Sequence, residues 1–282
     1  MRFIEIKFGN FFLKLIVCFI CLLNFSFGQS LKTELSKVFQ LGSNTIIKNY
    51  MSPLSKTFGS ILGSSNFHNA EAHSFPHFDF GINLLNASIP SAARQDSNSH
   101  VTVFGNVSDD SNKVSGLDMS SLQIPVMQVN FGLGDNTSLF LRYTRWNIEK
   151  LGDIEIFGAG IKYELENLFS ISLIPFDIGI LAAYQKYKLD NYIEGAAFGM
   201  NLIGSRNFEF FPIELYAAAG YINNVTNVNN PQSGQKVGPS VNGLEEIRYQ
   251  LGINYSVLFL NINTEYTFGE YSTLSGGIRV IF

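Results

Sequence analysis

Charge is scarce in this chain: Asp, Glu, Lys and Arg make up only 15% of its 282 residues, where a soluble domain carries about 25%. A water-exposed surface needs more. Cysteine occurs twice, as Cys18 and Cys21, both in an N-terminal stretch that reads as removable, so neither a disulfide framework nor thiol chemistry is expected. Histidine is nearly as rare. All four, His68, His73, His77 and His100, precede Val101, which leaves most of the chain without an imidazole base. The net charge of −4 excludes the broad basic footprint of a nucleic-acid binder, and no nucleic-acid partner is expected. Beyond residue 28 no run reaches the roughly 18 apolar residues that a membrane-spanning helix needs.

What is abundant is aromatic: 26 Phe and 12 Tyr against a single Trp. That composition suits strands better than helical bundles. Residues 1–28 carry Arg2, Lys7 and Lys14, then an apolar stretch from Leu15 to Leu23, with Ser26 and Gly28 at the third and first positions before Gln29. This is the layout of a cleaved signal peptide. Removing it takes three basic residues and one acid from totals of 19 and 23, leaving 16 basic and 22 acidic.

From Phe78 onward apolar residues recur at every second position, in ten runs separated by turn residues. Ile247, Tyr249, Leu251, Ile253 and Tyr255 interleave with Arg248, Gln250, Gly252 and Asn254; Leu258, Leu260, Ile262, Tyr266 and Phe268 face away from Asn261, Asn263, Glu265 and Thr267. One face suits lipid and the other a polar lumen. The expected fold is all-β: an antiparallel transmembrane β-barrel of about ten strands, with eight or twelve as alternatives, preceded by an amphipathic helical extension. Residues 88 to 121 leave room for two further short strands near Val101 to Phe104. The rival, a secreted β-sandwich, would show Lys, Glu and Thr on its outer face; here the second face is Gly, Asn, Gln and isolated charges.

An even strand count predicts both termini on the periplasmic side of a bacterial outer membrane, with compact turns there and the long links, 88 to 121 and 225 to 242, outside. The chain closes on Ser275, Gly277, Val280 and Phe282, spaced like the C-terminal signal read by barrel-assembly machinery. That machinery and the outer-membrane bilayer are the expected partners. The domain reading is signal peptide 1–28, helical extension 29–76 and barrel 77–282.

The whole mature chain, with its helical start and the run from Val126 to Glu164, resembles an uncharacterised outer-membrane barrel family described only as a domain of unknown function. A Gly-bearing strand and hairpin, an Arg-bearing strand and a Gly-x-Gly-x-Lys strand follow one another, with Gly132, Gly134, Arg142, Gly158, Gly160 and Lys162 in those places. The resemblance implies a location and an architecture, and carries no activity with it.

Leu31, Leu35, Val38 and Phe39, then Ile46, Ile47, Tyr50, Met51, Leu54, Phe58, Ile61 and Leu62 fall at helical spacing, interrupted near Gly42 and again at Pro53. Their apolar stripe has no partner within the segment. It is expected to dock in or beneath the barrel lumen as a plug, the alternative being packing on periplasmic turns or on a partner. Inward charges need partners, since a buried unpaired ion costs several kcal/mol (~), so Asp79, Arg142, Lys162, Glu164, Glu214, Arg248, Glu265 and Arg279 form the expected lumen network. A turn at Ser256-Val257 would set Arg248 against Glu265, and closure of the last strand on the first would bring Arg279 to Asp79. Arg145 and Glu155 point outward and are expected opposite each other at the outer rim, beside Trp146.

No nucleophile elbow, phosphate loop or dinucleotide fingerprint occurs, and no catalytic, cofactor or metal residue is assigned. His68, Glu71, His73, His77 and Asp79 read as a linker because Pro76 breaks any shared helix face, and the acid-free loop from Val225 to Asn242 does not suit calcium. The expected role is non-enzymatic: a structural or interaction barrel with a largely closed lumen and two long loops. The alternative is a passive conduit for small, hydrophobic molecules with an N-terminal plug.

Overall fold

The computed structural model describes residues 30–95, 101–108, 113–134, 136–165, 176–208, 211–231 and 238–282. The expected signal peptide lies outside them, as does His100. Two helices come first, α1 (Leu31–Gln40) and α2 (Asn44–Gly63), and a one-turn helix α3 (Ser91–Arg94) sits in the first long link. Gly42, with φ 72°, supplies the left-handed residue that ends α1 and lets the chain turn into α2. Pro53 does not interrupt α2, contrary to the sequence expectation. Its apolar neighbours Tyr50, Met51, Leu54 and Phe58 are all buried, and their packing outweighs the backbone bond that proline forfeits.

Ten strands follow: β1 (Phe78–Ser88), β2 (Ser121–Gly132), β3 (Thr137–Ile148), β4 (Gly152–Glu164), β5 (Asp177–Leu189), β6 (Ile193–Asn207), β7 (Ile213–Val228), β8 (Ser240–Val257), β9 (Leu260–Phe268) and β10 (Thr273–Ile281). Each pairs antiparallel with its sequence neighbour, and β1 pairs with β10 to close the barrel. Closure leaves no strand at the edge of the sheet, although β2 and β3 pair only from Met127–Tyr143 to Gly132–Ser138, so their loop-end parts, residues 121–126 and 144–148, do not pair with each other. The strands, from 9 to 18 residues long, match or exceed the roughly 9 to 11 that a bilayer core requires. Among the described residues of the first link there is no additional strand. Val103 and Phe104 instead point inward and are fully buried.

Burial alternates along each wall. Ile82, Met127, Leu141, Phe157, Tyr184, Met200, Leu251 and Ile262 are exposed on the outside, a continuous apolar band that water would not tolerate. Inward, the wall divides by height. Towards the ends of β1 and β10 that hold Phe78 and Phe282, here the terminal end, the inward residues are polar: Asp79, Gln128, Lys162, Asn254 and Arg279. Towards the opposite, loop end they are Leu85, Leu122, Ile124, Ile154, Leu189, Val241 and Leu244, which form one core with α1 and α2.

That division accounts for strands longer than the alternation showed. In Ile124–Met127 both faces are apolar, one for lipid and one for the core shared with the helices, so the period of two disappears. β7 and β8 likewise run on to Val228 and back to Ser240, which reduces the expected link of 225 to 242 to residues 229–239. The turn expected at Ser256-Val257 is built instead from Leu258 and Phe259, Leu258 being left-handed at φ 55°. Glu265 therefore pairs with Gly252, not with Arg248.

Ser30, the first described residue, and Phe282 lie at opposite ends of the barrel. Phe282 bonds to Phe78 at the terminal end, whereas Leu31 N–H donates to Lys150 O, 2.8 Å away, in the β3–β4 turn at the loop end. The strand count places the ends of the barrel together, as expected, but the segment ahead of β1 runs the full depth of the lumen. Ser30 thus stands opposite Phe282.

Gly132 makes room for that segment. A Cβ there would lie 2.4 Å from His73 O and 2.5 Å from the Ser74 carbonyl carbon. Gly132→Ala should therefore destabilise the barrel by about 1 to 3 kcal/mol, read from urea unfolding in detergent micelles. Gly276→Ala, whose Cβ meets nothing closer than 3.9 Å, should leave the unfolding midpoint in place.

Candidate functional site

The lumen is the site the sequence points to, and its occupant is the chain's own segment 44–77. A helix leaves its last four carbonyls without intrahelical donors, and α2 ends inside the barrel, away from water. Ser60 O accepts from Arg248 Nη1 at 3.1 Å. Ile61 O accepts from Ser64 N–H at 3.3 Å, Leu62 O from the Gln185 amide and from Asn66 Nδ2, and Gly63 O from Gln250 Nε2 at 2.8 Å. Beyond the helix, Arg142 donates to Ser64 O at 3.1 Å and to Ser65 O. Three strands contribute, and two of the donors are cations placed at the negative end of the helix dipole.

The helix flanks are tied as well. Ser55 meets Thr226, Asn224 donates to Ser55 O at 3.0 Å, and the Ser60 hydroxyl lies 2.6 Å from Thr273 Oγ1. Phe58 stacks on Tyr187 with centroids 4.2 Å apart. At the rim Lys56 pairs with Glu270 at 2.8 Å.

Residues 64–77 then descend as a strap whose backbone is held by wall side chains. Glu265 accepts from Ser65 N–H at 2.7 Å and from Tyr216 Oη at 3.2 Å. Gln128 donates to Asn66 O, Asn254 to His68 O, and Lys162 to Asn69 O at 3.2 Å. Ala70 N–H donates to Ser205 Oγ and Ala72 N–H to Glu164 at 2.8 Å.

The expected charges thus face the lumen, but mostly meet backbone rather than one another. The described exceptions include Asp79, 3.2 Å from Arg279 Nε and 2.7 Å from His73 Nε2, and Arg248, 3.5 Å from Glu246. Glu214 accepts from Asn254 at 3.1 Å. Charge alone does not single out Gln128, Gln185, Gln250 and Asn254, which hold the end of α2 and the strap as directly as the ions do. Their inward parity was visible; their backbone partners were not. At the loop-end rim Arg145 lies opposite Glu155 in the β3–β4 ladder, though its ion pair, at 3.8 Å, is with Asp153. Among the described residues no three His, Cys, Asp or Glu side chains gather as a metal site.

The model of a family of unknown function, DUF6588, matches residues 7–282. The chain belongs to that family. No curated protein matches it. Solved structures with similar folds include OmpT, an outer membrane protein of Vibrio cholerae (11% identity, TM-score 0.28), where the alignment covers 57% of this chain and 56% of that one, so the chain spans little more than half of that protein's length. Another is Neisserial surface protein A, at 13% identity and TM-score 0.29 over 72% of this chain and 96% of that one. The translocator domain of the autotransporter NalP from Neisseria meningitidis matches at 12% identity and TM-score 0.35, over 86% and 97%. At these values the likeness concerns the barrel fold and nothing finer.

For this family member, Arg142 is the residue whose loss should cost most. Arg142→Met leaves two buried carbonyls and the Gln128 amide oxygen without their donor, a loss of about 3 kcal/mol. Chemical unfolding in micelles would measure it. Arg142→Lys, unable to reach Ser64, Ser65 and Gln128 together, should recover less than half.

Proposed function

We propose that this protein is a non-enzymatic outer-membrane β-barrel, closed by its own N-terminal helix and strap, whose role is structural or interactive at its loop end. The apolar outer band, the closed ladder and the expected signal peptide support the membrane location. The lumen carries the functional argument: α2 fills the upper half with a dry core, and the strap occupies the lower half with its backbone bonded to the wall. A solute would have to displace both. In this reading Ser275, Gly277, Val280 and Phe282 form the assembly signal, and the compact turns at the terminal end face the periplasm.

The long first link supports a recognition role because it is built into the cap. Val103 N–H donates to Tyr50 O at 3.0 Å, Ser115 N–H to Glu34 at 2.8 Å, and Lys150 Nζ to Leu117 O at 2.8 Å. These bonds join α1, α2, the β3–β4 turn and the described part of the first link at the loop end.

Planar-bilayer recording of the full chain should give no single-channel steps. Steady steps in the wild type, abolished when Ser60→Cys and Thr273→Cys are oxidised to a disulfide, would replace this reading with that of a conduit gated by a mobile plug.

A further inference from the structure

The direction in which the N-terminal segment crosses the barrel has a consequence for what the outside of the cell meets. At its lower end the segment is continuous with β1, and His73 rests on Asp79 near the terminal end. At mid-depth Gly63 and Ser64 are bonded to Gln250 and Arg142. Higher, Lys56 reaches Glu270 in the β9–β10 turn. Highest, Leu31 is bonded to Lys150 in the β3–β4 turn, and the Glu34 carboxylate takes Ser115 N–H in the first link. The 20 residues of α2 alone rise about 30 Å, the thickness of a bilayer's hydrocarbon core.

We infer that the barrel, with its loop end outward, presents Ser30 and the start of α1 on the outer cell surface. Ser30 is exposed, while Leu31, Leu35 and Val38 of α1 are fully buried against the loop-end core. The helix is thereby pinned as a lid with its first residue free to solvent. Retraction is opposed at every level, by the dry contacts of α1 and α2 and by the donors that hold the carbonyls of residues 60 to 69.

The inference rests on the closed-barrel reading with loops outward, and its test separates the two. Ser30→Cys and, at the opposite end, Phe259→Cys are made separately in the full chain. Each is treated in intact cells with a membrane-impermeant maleimide, against the parent chain, where Cys18 and Cys21 set the background. Labelling of Ser30→Cys should be complete in intact cells and unchanged by permeabilising the outer membrane, while Phe259→Cys should rise from background only after permeabilisation. Protection of Ser30→Cys until permeabilisation overturns the inference. The Ser60→Cys/Thr273→Cys disulfide is scored in parallel: if it forms while Ser30→Cys stays protected, the closed barrel stands and outward display falls. If it does not form, both readings fall. A short epitope inserted before Leu31 should reach the surface of intact cells.

Discussion

A helix that ends in a space without water must find donors for its last carbonyls, and that requirement organises the lower half of this barrel. Each carbonyl from Ser60 to Ser64 has a partner, and with one exception the wall supplies at least one of them. The donors come from β3, β5 and β8, so their heights must agree to within a hydrogen-bond length. Strand register and helix depth are therefore a single constraint. Slipping β3 or β8 by two residues would preserve the lipid face and still leave a carbonyl unpaired, at a cost of about 1 to 3 kcal/mol.

The two halves of the lumen solve the same problem with opposite chemistry. Where the occupant is a helix, its backbone is satisfied internally and presents apolar side chains, so the wall answers with Leu85, Ile124, Ile154 and Val241. Where the occupant is an extended strap, its N–H and C=O groups are open, and the wall answers with Glu265, Gln128, Lys162, Asn254 and Glu164. Backbone bonds at so many points favour one arrangement of the strap, although Ser65 Oγ, both His68 ring nitrogens and Asn254 Oδ1 have no hydrogen-bond partner among the described residues. Close approach adds a steric condition, met at Gly132, where a side chain would strike the strap.

The division also explains what was legible beforehand. Strands with unlike neighbours on their two faces, such as the one built on Ile247 to Tyr255, were visible in the alternation. The start of β2 was not, because its inward residues pack on α2 and are as apolar as those facing lipid. The β8–β9 turn misled for a different reason: Leu258 and Phe259 are apolar turn residues that continue the pattern of the strands they join. The site residues could be assigned to the lumen by parity, since Arg142, Lys162, Arg248 and Glu265 each fall between outward apolar neighbours. Their partners are chiefly backbone groups of a distant segment, and main-chain carbonyls leave no mark on a sequence.

Composition and periodicity alone determined that this chain has one face for lipid and one for a lumen, that its strands number about ten, and that a helical segment precedes them. Side-chain direction in a strand is a local property, so it can be counted along the chain. The tertiary structure decided where that helix goes, which way it runs and what holds it. Threading is a relation between residues far apart in sequence, and only the closed ladder, with Leu31 at one mouth and Phe282 at the other, shows that the chain passes through its own barrel.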